Sequence, residues 1–222
     1  MEVERDLNNT ITSKAISETK PTHQSLSSQF WGIDWAKELA IYDSNNQNND
    51  LKVKYSSSQD SLSFLAKHFK NELHKTINYK ESEVTALNKK KFYENFSDFF
   101  LVFSESGEPI STMFGNALDW STYYIRFCAT LPQYRRLGAQ SIVVDRLKHV
   151  LSNFGVERIC FDFNPTNKSQ INYLNHAGFN LTGNMQTDRW GQVIQTTMFL
   201  NPESEKRFRE KFGTDFVSTY SA

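Results

Sequence analysis

The sequence predicts an α/β (α+β) domain with a mixed, mostly antiparallel sheet of about seven strands and helices on both faces. Three strand-like segments within residues 97–130 are joined only by short turns, which predicts an antiparallel meander. A strand, an amphipathic helix and another strand follow each other within residues 122–164, and this order predicts a right-handed crossover between two parallel strands. We therefore expect one domain whose sheet contains a parallel pair.

The composition is typical of one globular domain. A chain of 222 residues suits one domain of about 150–200 residues with extensions, and its 18 Phe are enough to fill a core. The formal net charge is zero, whereas a nucleic-acid-binding domain is normally strongly basic, so we expect no nucleic-acid partner. Cys128, Cys160 and the five scattered His lack the spacing of metal ligands, so we expect buried free thiols and no metal site.

The N-terminal region is expected to lie outside the domain. Residues 1–28 are rich in Ser, Thr, Asn and charge, and we expect them to be disordered. Residues 29–50 are expected to form a helical extension and a polar linker, because Trp31, Trp35 and Leu39 recur on one helical face. In one interpretation that face packs on the domain, and in the other it shapes an acceptor pocket or meets a partner or a membrane.

Neither end of the chain has the composition of a membrane segment. The first residues, MEVERDLNNT, lack the apolar core of a signal peptide, and no run of about 18 apolar residues occurs anywhere. We therefore expect a cytoplasmic protein with no membrane span. Residues 201–222 are amphipathic and charged, and we expect a C-terminal helix or tail docked through Phe208, Phe212 and Phe216.

The domain is expected to span residues 51–200 and to begin with a strand, because LKVKY alternates apolar and polar residues. A helix should follow, and residues 75–95 are polar and compatible with a helix. After the meander, a helical stripe ends at Gly155, which suits the C′ position of a helix. The last predicted elements are an apolar strand at 156–164, a short helix that ends at Gly178, and two closing strands.

One turn concentrates basic residues. The segment LPQYRRLGAQS, residues 131–141, connects a strand to a helix and contains Arg135, Arg136 and Gly138. The start of a helix presents unpaired N–H groups and a partial positive charge, and a glycine lets an anion approach the backbone closely. These residues favour a pyrophosphate cradle, with an ordinary surface turn as the alternative.

The turn and a later segment resemble motifs of the GNAT acyltransferase superfamily. YRRLGAQ is similar to that family's acyl-CoA-binding pattern Arg/Gln-x-x-Gly-x-Gly/Ala, with Arg135 and Gly138 at the first and fourth positions. NPTNKSQINYLNHAGF is similar to the family's second motif through Asn167, Gly178 and Phe179. The order of elements in the predicted domain also fits that family.

The resemblance implies a single GNAT-like domain in which acyl-CoA binds between two parallel strands that splay apart, here the strands within residues 122–130 and 156–164. The donor would be acetyl-CoA or another acyl-CoA, and the acceptor a small-molecule amine or a protein amine. The implied cofactor-binding residues are Cys128, Ala129, Thr130, Arg135, Arg136, Gly138, Ala139, Gln140, Ser141 and Asn167.

Two positions depart from the family pattern. Gln140 stands where Gly or Ala is expected, and its side chain either crowds the pyrophosphate or points away from it. Leu174 stands where the family often has the tyrosine that protonates the departing thiolate, and Tyr173 comes one residue earlier. Because one residue rotates a helical side chain by about 100°, Tyr173 is either the general acid or a packing residue.

The general base has several candidates. An alkyl amine has a pKa of about 10.4 and must lose a proton before it can attack. The candidates are Asp162 in an apolar strand, Asp119 at a turn, or a water chain, and the alternative for Asp162 is a structural carboxylate. Direct transfer is the expected route, and an acyl-enzyme on Cys128 is the competing one.

The resemblance predicts an N-acyltransferase, by default an N-acetyltransferase. Two alternatives stay open: transfer of a longer acyl chain from CoA or an acyl carrier protein, and a catalytically silent acyl-CoA-binding module. The acceptor's identity cannot be read from the sequence, and residues 75–95 and 185–192 are the segments expected to contact it. A homodimer is left open.

Overall fold

The computed structural model describes residues 24–46, 50–73, 82–187 and 191–212. The described residues form seven strands: β1 (Lys52–Ser56), β2 (Asp98–Phe103), β3 (Pro109–Ala117), β4 (Thr122–Thr130), β5 (Arg158–Phe163), β6 (Asn180–Thr187) and β7 (Gly191–Phe199). They also form seven α-helices: α1 (Leu26–Trp31), α2 (Trp35–Asn45), α3 (Ser58–Leu73), α4 (Glu83–Phe96), α5 (Ala139–Asn153), α6 (Lys168–Ala177) and α7 (Pro202–Phe212).

The strands form one open sheet in the order β1-β2-β3-β4-β5-β7-β6. The pair β4–β5 is parallel, and every other neighbouring pair is antiparallel. Strands β2, β3 and β4 are the predicted meander, and α5 is the predicted crossover helix between β4 and β5. The predicted fold class is therefore confirmed.

Helices cover both faces of the sheet. One apolar cluster packs side chains of α2 and α5 against the sheet, and the other packs side chains of α3 against the opposite face. Strand β2 contributes to both clusters in alternation, with Phe100 and Val102 in the first and Phe99 and Leu101 in the second. A strand covered on both faces has no polar side, which explains why its sequence is an uninterrupted apolar run.

The N-terminal extension differs from the single predicted helix. It forms two short helices, because Gly32 adopts the left-handed conformation (φ 70°) that ends α1 and Asp34 caps the start of α2. Trp35 and Leu39 are buried as the helical spacing predicted, whereas Trp31 donates its indole N–H to the Trp120 carbonyl (3.2 Å).

The described fold also begins earlier than the predicted boundary at residue 28. Ser25, Ser27 and Ser28 at the start of α1 are buried and donate hydroxyl hydrogen bonds to the carboxylate of Asp98, which is fully buried. The backbone amide of Ala117 in turn donates to the Ser27 hydroxyl (2.8 Å). This Asp98–serine cluster fastens α1 to β2 and β3, because each buried polar group finds a partner within it.

A second polar contact fastens α2 to the crossover helix. Arg146 of α5 is buried and forms an ion pair with Asp43 of α2, with 2.5 Å between Nη2 and Oδ1. A second guanidinium nitrogen donates to the Ile142 carbonyl (2.9 Å). Because a buried guanidinium is costly without such partners, α2 and α5 hold each other in one arrangement.

The remaining elements follow the sequence pattern. Gly155 has φ 76° directly after α5, as the C′ position requires. Helix α4 lies within the polar segment expected to be helical, residues 74–81 being outside the described part. Phe208 of α7 contacts Phe199 (ring centroids 5.3 Å apart) and Phe212, and Phe216 lies outside the described residues. Among the described helices none is long and apolar enough to cross a membrane.

Replacing Asp98 with alanine tests the Asp98–serine cluster. The Asp98→Ala variant leaves three buried hydroxyl groups without their acceptor, so we expect the free energy of unfolding in urea to fall by about 3 kcal/mol. The matched control is Asp50→Ala at an exposed position, which should change stability by less than about 0.5 kcal/mol. A loss of less than about 1 kcal/mol for Asp98→Ala would contradict the role of the cluster.

Candidate active site

A gap opens between the two parallel strands. Residues 122–125 of β4 pair with residues 158–161 of β5, and the pairing stops there. Each strand stays in the sheet on its outer side, since β4 continues to pair with β3 as far as Thr130 and β5 with β7 as far as Phe163. The main chain at 126–130 therefore faces the gap without a strand partner, and an extended ligand could take that place.

A β-bulge lies where the gap begins. Phe114 of β3 is opposite Phe127, but the next residue, Gly115, is opposite Ile125, so Arg126 is an extra residue on β4. A bulge bends its strand and increases the local twist, which accounts for the parting of β4 from β5. Gly115 allows this close packing, because a Cβ atom there would lie 2.5 Å from the Tyr123 ring.

The turn from β4 into α5 presents a set of unpaired amides. After the 3-10 turn at Pro132–Tyr134, the backbone N–H groups of residues 136–141 have no acceptor within the described parts of the chain. Gly138 (φ 80°) caps α5 with no side chain in the way, and Arg136 also has a left-handed φ of 69°. Such a turn at a helix N-terminus is suited to an anion, as the sequence predicted.

Two arginines and Gln140 surround this amide cradle (residues 136–141). Arg135 and Arg136 are exposed, and Nε of Arg135 donates to the Thr130 carbonyl (3.3 Å). The Gln140 side chain donates to the Thr130 hydroxyl (3.3 Å), so its amide lies against the end of β4. That contact favours the interpretation in which Gln140 leaves room for a pyrophosphate.

Tyr173 of α6 packs against the core and lies near Cys128 of β4 and Ser141 of α5. Leu174 beside it is buried in the core, whereas the buried Tyr173 hydroxyl has no hydrogen-bond partner within the described chain. Burial raises its pKa, and Cys128 of β4 and Ser141 of α5 are close enough to influence it. A buried hydroxyl without a close partner is unusual, and the Ser141 side chain is near enough to hydrogen-bond with it after a small adjustment.

Asp162 is the first residue of β5 beyond the part that pairs with β4. Its Oδ2 accepts a hydrogen bond from the Tyr124 hydroxyl (2.9 Å), while its buried Oδ1 has no partner among the described residues. Burial raises the pKa of the carboxyl group, and the Tyr124 hydrogen bond and the charge of Arg126 partly offset that effect. A half-buried carboxylate with one free oxygen can accept a proton.

The other candidate residues, Cys128, Asn167 and Asp119, each have a different environment. Burial raises the pKa of Cys128 to about 12, so its thiol keeps its proton at neutral pH. Asn167 caps α6, since its side chain accepts from the Gln170 amide (3.2 Å). Desolvation disfavours the charged form of Asp119, but hydrogen bonds from Ser121 and Thr122 outweigh it and lower the pKa.

Sequence reasoning missed Tyr124 and Arg126. Nε of Arg126 donates to Asn116 (2.7 Å), and its guanidinium lies over the rings of Tyr124 (4.4 Å) and Phe92 (5.6 Å). An arginine within the apolar strand TYYIRFCAT was the available signal, of the same kind as the aspartate in CFDFN. The described residues contain no group of three or more His, Cys, Asp or Glu that could hold a metal ion.

A family comparison identifies the class of protein to which this fold belongs. The sequence model of the Acetyltransferase (GNAT) family matches residues 64–179, just over half of the 222 residues. The chain therefore belongs to the GNAT acetyltransferase family, and the resemblance read from the sequence is confirmed. Comparison with curated protein sequences gives no match.

Solved structures of GNAT N-acetyltransferases share the fold. Spermidine N-acetyltransferase from Vibrio cholerae, crystallised with CoA and spermine, is 15% identical, with a TM-score of 0.53 over 69% of this chain and 97% of its own. Ard1 from Thermoplasma volcanium is 13% identical, with a TM-score of 0.53 over 68% and 98%. Ribosomal-protein-S5-alanine acetyltransferase from Vibrio fischeri is 16% identical, with a TM-score of 0.50 over 69% and 95%.

An aspartate at Gly138 tests the amide cradle. The position is exposed and nothing lies within 4 Å of a Cβ atom built there, and aspartate tolerates a left-handed φ. We expect Gly138→Asp to fold but to bind CoA at least about 100-fold more weakly, because the carboxylate repels the pyrophosphate. Calorimetry and CoA-dependent melting would measure the loss.

The matched control for this experiment is Gly107→Asp. Gly107 has φ 81° and open space around it, and it lies in the turn between β2 and β3. Both variants therefore carry the same backbone strain and the same new charge. Retention of wild-type CoA affinity by Gly138→Asp would contradict the assignment of the cradle.

Proposed function

We propose that the protein is an acyl-CoA-dependent N-acyltransferase that moves an acetyl group from acetyl-CoA to an amine by direct attack. The observation that carries the proposal is the gap between β4 and β5 beside an unpaired amide cradle. Membership of the GNAT acetyltransferase family supports the transferase class. Beyond that class, we propose the acetyl donor, the amine acceptor and the roles of individual residues.

Two parts of acyl-CoA, the pyrophosphate and the pantetheine arm, contact different segments of the protein. The amides of residues 136–141 hold the pyrophosphate, with Arg135 and Arg136 as additional donors. The pantetheine arm lies along Cys128, Ala129 and Thr130 of β4 and pairs with main-chain groups that have no strand partner there. A backbone N–H in this segment stabilises the negative charge that develops on the thioester oxygen.

Asp162 is the proposed general base. The acceptor amine is mainly protonated at neutral pH and must lose a proton before it attacks the thioester carbon. Asp162 follows the last residue of β5 that pairs with β4, its Oδ1 is buried without a partner, and burial raises the pKa of its carboxyl group. A base whose pKa is raised accepts that proton more readily than an ordinary carboxylate.

Tyr173 is the proposed general acid. Burial raises the pKa of its hydroxyl, so the proton is present at working pH. Its neighbours Cys128 and Ser141 belong to the two elements that hold the donor. Donation to the departing sulfur restores a thiol with a pKa of about 8.5, so the acid assists the step but is not indispensable.

The protein takes the direct route rather than an acyl-enzyme route. With a pKa of about 12, the Cys128 thiol is ionised in roughly one molecule in ten thousand at pH 8. The Cys128→Ala variant should therefore keep at least about a third of wild-type kcat, measured as release of free CoA. Loss of activity together with a mass increase of one acetyl group on the wild-type protein would contradict direct transfer.

A transfer assay tests the whole proposal. Purified protein is incubated with labelled acetyl-CoA and a panel of amines, and acetylated products are identified by mass spectrometry while free CoA is measured. We expect product only when both substrates are present. Octanoyl- and palmitoyl-CoA compare chain lengths, and CoA-dependent melting without any product would indicate a silent acyl-CoA-binding module instead.

The Asp162→Asn variant tests the base. We expect kcat to fall about 100-fold, with little change in the KM for acetyl-CoA. In the wild type, kcat should decrease as the pH falls through the pKa of Asp162, which burial places above 3.8, because protonation removes the base. Asp119→Asn is the control, and a similar loss in both variants or no loss in Asp162→Asn would exclude this role.

A further inference from the structure

Arg126 is held in a fixed position at the closed end of the gap, where β4 and β5 begin to separate. It is the extra residue of the β-bulge, so β4 places it where the strand leaves β5. Its Nε donates to Asn116 Oδ1 (2.7 Å), and its guanidinium carbon lies 4.4 Å from the centre of the Tyr124 ring and 5.6 Å from that of Phe92. Stacking on an aromatic ring and a hydrogen bond at Nε together fix the plane of the group.

The outer nitrogens of Arg126 are not used by the protein. Neither terminal NH2 group has a hydrogen-bond acceptor or an acidic partner in the described chain. The side chain is half-buried, so these groups stay accessible. The anchored guanidinium thus presents its planar pair of donors outward, in the geometry that binds the two oxygens of a carboxylate.

One aromatic ring separates this cation from the proposed base. The hydroxyl of Tyr124 donates to Asp162 (2.9 Å), and the ring of the same tyrosine lies beneath the guanidinium. Arg126 and Asp162 form no ion pair within 4 Å, yet the arginine is near enough to lower the pKa of the carboxyl group. The closed end of the gap therefore offers one acceptor for an amine and, a tyrosine ring away, one donor pair for an anion.

We infer that the acceptor is a small zwitterion, in which an acidic group lies a few bonds from the reactive amine and is bound by Arg126 while the amine faces Asp162. This inference rests on the proposed transferase function and adds the substrate class. An α-amino acid has the required charges and size. A polyamine, the substrate class named for the Vibrio cholerae neighbour, would bring further positive charge against an unpaired guanidinium.

Matched acceptors test the inference with the full-length protein. Acetyl transfer is measured for L-phenylalanine, its amide and 2-phenylethylamine, which differ only in the acidic group. We expect kcat/KM for the amino acid to exceed that for the other two by about 30-fold or more, as a charge-assisted bidentate contact allows. A second pair, 2-aminoethyl phosphate and ethanolamine, tells whether the acidic group that Arg126 binds is a phosphate instead of a carboxylate. Spermidine serves as the cationic acceptor.

The Arg126→Gln variant shows whether Arg126 causes the preference for an acidic acceptor. The ratio of kcat/KM for the acidic acceptor to that for the amide and for the amine should fall to about 3-fold or less, through a higher KM for the acidic acceptor. Any effect of the lost charge on Asp162 acts on all three acceptors and cancels in this ratio. Arg126→Lys keeps the charge but loses the planar fork, so it should recover only part of the preference. Melting temperature and CoA binding of both variants report whether the fold and the donor site are intact.

The outcomes separate this inference from the proposed function. If the wild type acetylates spermidine or 2-phenylethylamine with a kcat/KM equal to or above that for L-phenylalanine, the inference of a zwitterionic acceptor is overturned. The proposed transferase function stays in place in that case. A preference for acidic acceptors that survives in Arg126→Gln would overturn the role of Arg126. Failure of the wild type to acetylate any amine, with CoA still bound, would overturn the proposed function and the inference together.

Discussion

The site depends on the place where the pairing of β4 with β5 ends. In most parallel pairs, the backbone N–H and C=O groups of the two strands hydrogen-bond to each other along their whole length. Here the ladder covers only four positions, and the bulge at Arg126 directs the rest of β4 away from its neighbour. The gap that results leaves backbone donors and acceptors exposed inside an otherwise continuous sheet. An extended ligand can then bind by strand-like pairing without any dedicated side chain.

The same geometry brings charged groups to both ends of the gap. The turn into α5 combines unpaired amides, the helix N-terminus and two arginines, which together favour a pyrophosphate. On the side of the bulge, Asp162 and Arg126 are separated by Tyr124 instead of neutralising each other. Asp162 and Arg126 therefore each keep atoms without a protein partner.

The N-terminal extension is part of the folded unit. The Asp98–serine cluster fastens α1 to β2 and β3, and the ion pair between buried Arg146 and half-buried Asp43 fastens α2 to α5. Helix α5 carries the amide cradle at its first turn, so the position of α2 against it bears on the placement of the cradle. This arrangement favours a packing role for the helical face at Trp35 and Leu39 over a role in contacting a partner, since both side chains are buried.

The sequence by itself determined the order and type of the elements, the crossover at β4–α5–β5 and the basic turn at 131–141. These features depend on local spacing, on Gly138 and Gly155 at left-handed positions, and on a motif of neighbouring residues. Only the tertiary structure decided that one predicted N-terminal helix is two, that Gln140 turns toward Thr130 and that Leu174 enters the core while the Tyr173 hydroxyl stays unpaired. The bulge, and with it the placement of Tyr124, Arg126 and Asp162 around one gap, depends on the register between β3 and β4, and no local pattern specifies that register because it is set by packing across the sheet.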